Sequence, residues 1–470
     1  MTEKTPLPDL PQWTWLGGDS GLSRRVGKPV RKFLNIEAAS GILLLITTVI
    51  ALVWANSSWS GSYQNLWETD FELVVGSYHM GGSGHHLNLG VVVNDALMAI
   101  FFFVVGLEIK RELVSGHLKN PKAAALPAIA AVGGMAVPAL VFFAFNPSGD
   151  GASGWGIPMA TDIAFAVGVV SLLGDRVSRP LKVFLLSLAI VDDIGAILVI
   201  AIFYSSSLSL SWSISAIAIF TVIIILKKLK IWYIPIYIFL GTALWLATFE
   251  SGIHATIAGV VLGLVTPAKP QQSQEQGREA LEWLRDKGEN IYPVDVRITA
   301  MELNESSMSI AERIGTALHP ISSFIIIPIF ALANAGVDLR GGVLGDAAGS
   351  PITWGVALGL VVGKIIGVFA TTWIGMKMPF TSSPKEMNNL SLLGLAAAAG
   401  IGFTVSLFIT NLAFEDFAIL ADESKIGILF ASVVAGILAL VLLHFGTRSK
   451  SSNPDQRAKD DSAGKEKILS

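Results

Sequence analysis

Cysteine is absent from this 470-residue chain, which excludes disulfides, Cys-ligated zinc and thiol nucleophiles together. Charge is scarce as well. Asp, Glu, Lys and Arg make up 15% of the residues against 52% hydrophobic ones, and the mean hydropathy is +0.61, too apolar for an average soluble protein. The formal net charge of −3 gives no electrostatic footprint for a nucleic-acid partner. A removable leader is not expected either. The first apolar run begins near Leu34, follows a basic stretch and has no small-residue cleavage site before further runs arrive.

What is present is a series of apolar runs, each close to the ~20 residues that a membrane-spanning helix needs. The expectation is an all-α polytopic membrane protein of about twelve spans: 36–56, 88–109, 123–145, 156–174, 181–204, 209–226, 232–249, 251–267, 319–338, 353–376, 390–412 and 425–445. Lys and Arg set the orientation, because they stay on the cytoplasmic side. They gather before the first span (Arg24 to Lys32), after the second (Lys110, Arg111), fourth (Arg176, Arg179), sixth (Lys227, Lys228), eighth (Lys269) and tenth (Lys377, Lys385), and after the last (Arg448, Lys450). Residues 57–87 carry none, and Glu415, Asp416, Asp422 and Glu423 make another connection acidic. Both termini are therefore placed in the cytoplasm, with Arg340 and Lys425 as exceptions. The expected divisions are a cytoplasmic tail 1–35, a transmembrane unit 36–446 and a polar tail 447–470 of disordered composition. A long cytoplasmic loop, 268–318, interrupts the unit, and Glu275 to Arg285 within it could form a short helix.

A charge at the bilayer centre costs at least about 2.5–3.5 kcal/mol, so each one there calls for a reason. Asp162 lies in Met159-Ala160-Thr161-Asp162-Ile163, in a span punctuated by Gly156 and Pro158. Asp192 and Asp193 are adjacent in Val191-Asp192-Asp193-Ile194, and Lys364 follows Val361-Val362-Gly363. Leu181 to Asp192 spans roughly 16 Å of helix, which puts the pair near mid-membrane. Neighbouring helical residues point about 100° apart, so one aspartate should face an ion and the other a different partner, for which Lys364 is the buried cation on offer. Purely structural ion pairing would leave three acids against one base. For Lys364 alone, a structural and a proton-carrying role are both open. Thr161 adds a hydroxyl beside Asp162, and an all-oxygen set suits Na+ or Li+. The eleventh span has its own interruption, Ala399-Gly400-Ile401-Gly402-Phe403, and such breaks let backbone line a polar cavity at membrane depth. Two broken spans, the fourth and the eleventh, suggest equivalent positions in two repeats, spans three to five and ten to twelve.

Several stretches together resemble the NhaA family of Na+/H+ antiporters: Asn94-Asp95-Ala96-Leu97-Met98, Gly106-Leu107-Glu108-Ile109-Lys110-Arg111-Glu112, Ala160-Thr161-Asp162-Ile163-Ala164, Ala189-Ile190-Val191-Asp192-Asp193, Gly252-Ile253-His254-Ala255, Ala333-Asn334-Ala335-Gly336 and Gly400-Ile401-Gly402-Phe403-Thr404. The resemblance covers about residues 30–445. Inverted repeats with crossing broken helices belong to what that family implies, so they are not an independent reading here. By resemblance Asp193 is the principal carboxylate for cation and proton, Asp192 its neighbour paired with Lys364, and Asp162 and Thr161 part of the crossing, with Asp162 offsetting helix N-termini and Lys364 the facing C-termini. The implied ion ligands are Asp193, Asp162 and Thr161. Glu108, Glu112 and His254 match pH-sensing positions. Glu108 and Glu112 also read as partners of Lys110 and Arg111 on a solvated face, and His254 as a structural histidine. An acid usual in the family ahead of Leu318-His319-Pro320 is replaced by Gly315 and Thr316, which puts the family's pH threshold in question.

The implied function is electrogenic, pH-regulated Na+(Li+)/H+ antiport across a bacterial inner membrane, two H+ per Na+. No cofactor or enzymatic centre is expected, and a homodimer is one assembly open to such a chain. A Na+-coupled organic-solute symporter of related fold is the alternative. An intramembrane aspartyl protease would need Gly-x-Gly-Asp, and Val343-Leu344-Gly345-Asp346 lacks the first glycine.

Overall fold

The computed structural model describes residues 39–70, 74–75, 78–79, 87–205, 209–229, 231, 233–269, 279, 282, 308–382, 384 and 386–447. The basic N-terminal flank, the tail beyond Thr447 and the helix expected over 275–285 lie outside these residues, apart from Glu279 and Glu282. The described residues form a bundle of helices with one short antiparallel strand pair, Val74–Val75 against Tyr78–His79. Helices α1 (Ala39–Ala55) and α2 (Ser60–Trp67) are followed by α3 (Leu89–Val114) and α4 (Pro121–Phe145). A 3₁₀ segment, Asp150–Met159, then leads into α5 (Ile163–Ser171), α6 (Arg179–Phe203), α7 (Leu210–Lys228), α8 (Ile234–Glu250) and α9 (Thr256–Val265). The second half holds α10 (Ile310–Asn334), the short α11 (Val343–Gly349), α12 (Pro351–Gly375), α13 (Asn389–Ala399), α14 (Phe403–Ala413) and α15 (Ala418–Gly446).

Helices are what such apolar runs must form in lipid, since only they satisfy every backbone donor and acceptor within one segment. Among the described residues, seven are long and apolar enough to cross a membrane alone, and up to ten spans result if each bent pair counts as one. Two of those pairs are the broken ones: 150–159 with α5, bent by 42°, and α13 with α14, bent by 43°. Polar caps set the boundaries. Asn88 accepts from Val91 N–H at the start of α3, Asn120 precedes Pro121 at the start of α4, and Asn388 with Ser391 forms a reciprocal capping box on α13. Outward faces stay apolar: α7 buries Ile223 alone among its residues, and Leu45, Ile46, Val49, Ile50 and Val53 of α1 are exposed. The chain is a multi-pass membrane protein.

Small residues set the close helix pairs, as expected where lipid removes the hydrophobic drive between helices. A Cβ at Gly259 of α9 would stand 2.1 Å from the Ala99 carbonyl oxygen of α3, and one at Gly367 of α12 would stand 2.2 Å from the Gly133 carbonyl of α4. Both neighbours are backbone and cannot step aside. Gly259→Ala should therefore push α3 and α9 apart and destabilise the fold by about 1–3 kcal/mol, read as a lower melting temperature in detergent.

The two basic residues that break the loop alternation are both ion-paired. Arg340 holds Asp338 through its Nε at 2.8 Å and Nη2 at 2.7 Å, and Lys425 lies 3.3 Å from Asp422. Hydrogen bonds from the Arg340 guanidinium keep the Asp338 carboxyl down at about 2.

Candidate functional site

The two breaks meet. Pro158 and Gly156 end the 3₁₀ segment before α5, Gly400 and Gly402 separate α13 from α14, and the backbone N–H of Asp162 donates to the Ile401 carbonyl at 2.7 Å. Asp162 is the N-cap of α5, where its Oδ1 accepts from Phe165 N–H at 2.9 Å. Its Oδ2 accepts from the backbone N–H of Thr404 at 3.1 Å and from the Thr404 hydroxyl at 2.6 Å, in the first turn of α14. One carboxylate therefore caps two helix N-termini, where orphan N–H groups and the helix dipoles both favour a negative charge.

Next to it lies a second cluster. Lys364 Nζ, 1% exposed, forms an ion pair with Asp192 Oδ2 and donates to Thr161 Oγ1 at 3.1 Å. The Thr161 hydroxyl is also 2.6 Å from Asp192 Oδ2 and 2.8 Å from the Ala399 carbonyl, the last residue of α13. Lys364 thus reaches the C-terminus of α13 through Thr161. A π turn, Gly359–Gly363, immediately precedes Lys364 in α12, and such one-turn bulges re-aim a helix face. Gly134 of α4 leaves the space, since a Cβ there would lie 3.8 Å from Lys364 Nζ and 2.9 Å from Val368.

Asp193 differs from its neighbours. It is 5% exposed, and its Oδ1 is buried with no hydrogen-bond partner among the described residues, as is Asp192 Oδ1. Most buried polar atoms find partners, so an orphaned carboxylate oxygen marks a place for a ligand or proton. Asp192, Asp162, Lys364 and Glu108 act on Asp193 through space. Among the described residues no three His, Cys, Asp or Glu side chains are arranged to hold a metal ion, and the expected ligand set has two carboxylates and a hydroxyl.

None of the pH-sensing candidates is hydrogen-bonded to this cluster among the described residues. Glu108 stands on α3 within the influence of Arg111, Glu112 and His319. Glu112 accepts from the backbone N–H of His117 at 2.9 Å and ties off the turn after α3. His254 hydrogen-bonds through Nε2 to the Tyr204 carbonyl at the end of α6, and the Tyr204 hydroxyl donates to the Ser153 carbonyl of the 3₁₀ segment at 2.7 Å. Thr404 and Ala399 have no role in the sequence reading, although Thr404 directly follows the Gly-Ile-Gly break and so stands where a half-helix begins. Thr404→Val removes a hydrogen bond to a buried carboxylate. It should cost about 1.5–3 kcal/mol, measurable as a lower melting temperature, with Thr404→Ser retaining most of the stability.

These features define a polytopic membrane protein whose polar centre is built on two crossed, discontinuous helices. The chain belongs to the Na+/H+ antiporter 1 family, which it matches over residues 31–443. It is 43% identical to Na+/H+ antiporter NhaA 3 of Frankia alni over 431 residues, 92% of this chain and 91% of the relative. Over 450 residues it is 42% identical to Na+/H+ antiporter NhaA of Rhodopirellula baltica, 94% of this chain and 96% of that one. With Na+/H+ antiporter NhaA of Wolinella succinogenes it shares 44% identity over 429 residues, covering 89% and 93%.

Proposed function

We propose that the chain exchanges Na+ for H+ across a bacterial inner membrane, by alternating exposure of one carboxylate site. The observation that carries this is the orphaned, buried Asp193 carboxylate beside a neighbour already committed to Lys364. The names of the relatives point the same way. Asp193 takes the cation or the proton, never both, so each arrival expels the other and coupling needs no ATP. Asp192 shares Lys364 with the Thr161 hydroxyl, and Asp162 supplies a fixed negative charge at the crossing, with Thr161 and Asp162 as the remaining oxygen ligands for Na+ or Li+. Counting α8 and α9, which are short for spans, gives twelve, with both termini cytoplasmic by the Lys/Arg alternation and with α4–α6 and α12–α15 as inverted repeats.

Three acids against one ammonium leave room for two H+ per Na+, so exchange is electrogenic and gains about 2.3 kcal/mol per charge per 100 mV. Its rate rises with pH, because the site must lose its protons before a cation binds. Glu108, Glu112 and His254 tune that response. The symporter reading is the weaker one. A cleft of about 780 Å³ lies between α3, α7, α8, α9 and α10, and none of Thr161, Asp162, Asp192, Asp193 or Lys364 lines it. The test is a Na+-, Li+- or K+-driven proton movement in proteoliposomes free of organic solute, followed with a potential-sensitive dye from about pH 6 to 9, the range of histidine and raised carboxylates. Exchange that leaves the potential untouched and an apparent Na+ affinity flat across that range would defeat the shared-carboxylate account.

A further inference from the structure

Three asparagines stand outside the polar centre and have no part in the exchange chemistry. Asn94 lies in the π turn Val92–Leu97 of α3, Asn334 ends α10, and Asn411 is in the last turn of α14. Asn411 Nδ2 donates to Asn334 Oδ1 at 2.6 Å, and Asn334 Nδ2 donates to Asn94 Oδ1 and to the Phe330 carbonyl, both at 2.9 Å. Asn334 thereby uses both its N–H groups and one lone pair, and is the hub of a three-rung amide ladder.

The same three helices carry a second layer. Phe102 of α3, Phe330 of α10 and Phe408 of α14 are each 3% exposed or less; ring centroids are 5.2 Å apart for Phe102 with Phe408 and 6.4 Å for Phe330 with Phe408. Along each helix the ring follows or precedes its asparagine at a spacing that keeps the two on one face at different depths. Met98, 1% exposed, sits on α3 midway between them. Helix α14 begins on Asp162 at Thr404, passes Phe408 and reaches Asn411 about 10 Å further on, close to Glu415 and Asp416. Both layers therefore separate the crossing from the acidic face. They also straddle a seam: α14 is half of the crossing, whereas α3 and α10 belong to neither broken span nor its repeat, and the Asn411 to Asn334 bond joins the two sides.

We propose that the Asn411 to Asn334 bond, at the head of the Asn94–Asn334–Asn411 ladder, is a latch that, over the Phe102, Phe330 and Phe408 layer, closes the polar centre toward the acidic face. This rests on the alternating-exposure reading above. The chemistry suits the role. Ring edges offer an ion no replacement for its water, so the aromatic layer blocks passage. Amide hydrogen bonds can be exchanged for water when the sides part, so opening strands no buried donor or acceptor. An all-apolar contact would lack this directional register.

The cysteine-free chain makes the test direct, because Met98→Cys introduces a single thiol between the layers. The full chain in proteoliposomes is exposed to a charged, membrane-impermeant methanethiosulfonate from the acidic face. In the Met98→Cys background, Asn411→Leu, close to isosteric, should raise the labelling rate about three- to tenfold, equivalent to one net hydrogen bond. Asn334→Ala cuts the same bond from the other helix and should reproduce the rise. Asn94→Ala leaves the seam-crossing bond in place and should stay near the background rate. An unchanged rate in Asn411→Leu and Asn334→Ala overturns the latch. So does an equal rise in all three variants, which would indicate loosened packing. Labelling requires no transport, so a chain that shows the rise but no Na+-dependent exchange would defeat the antiport reading and leave the latch standing.

Discussion

Asp193→Asn should abolish Na+- and Li+-driven proton exchange while leaving the protein inserted and folded. The amide offers a neutral oxygen ligand, but it has no proton to give up and no charge to offer a cation. Its buried Oδ1 makes no hydrogen bond among the described residues, so the substitution breaks no hydrogen bond there and relieves the crowding of negative charge near Asp192 and Asp162. The melting temperature should hold or rise. Exchange should drop to the level of empty vesicles at every pH from about 6 to 9, the range in which histidines and raised carboxylates titrate. Retained exchange would remove Asp193 from the mechanism.

Asp192→Asn should have the opposite balance, with stability suffering as much as transport. Lys364 is 1% exposed, and its ammonium has Asp192 as its carboxylate partner. Neutralising that partner leaves a buried charge whose compensation is one hydroxyl, a loss of about 3–5 kcal/mol for broken buried pairs. Lys364→Met, which removes the cation instead, should recover part of that stability when combined with Asp192→Asn, because the double variant no longer buries an ammonium without its carboxylate partner. Thermal melts of the two single variants and the double decide the matter. A native melt with lost transport in Asp192→Asn would instead make Asp192 a proton carrier in its own right.

How much of this could be read from the sequence depended on the kind of signal. Apolar helices were legible, because apolar length is a property of the string: seven to ten of the expected runs are helices or bent pairs long enough to span, and the runs 232–249 and 251–267 hold the shorter α8 and α9. The boundaries shifted where caps override hydropathy: Asn120 starts α4 at Pro121 rather than 123, and α10 begins at Ile310 rather than near 319 because Ser309 caps it. The buried charges were legible because a charge in a span is rare whatever surrounds it. Partners were less so. Adjacent aspartates on a helix had to diverge, but helix geometry leaves open which of them reaches Lys364; the resemblance assigned Asp192, and the structure has that pair. Thr404, Ala399, Gly134 and the three asparagines look like ordinary span residues in the string, and their roles arise from helices far apart in sequence. The π turns before Lys364 and around Asn94 leave no pattern in composition.

One geometric fact constrains how the protein can move. Because the single carboxylate of Asp162 accepts from the starts of both α5 and α14, and its own N–H holds the Ile401 carbonyl, neither half-helix can tilt without tearing hydrogen bonds from the other. The breaks look like hinges in the chain trace, but they are riveted together. On the proposed exchange mechanism, α5 and α14 would then move together past α3 and α10, with slippage at that seam rather than a hinge between the two half-helices.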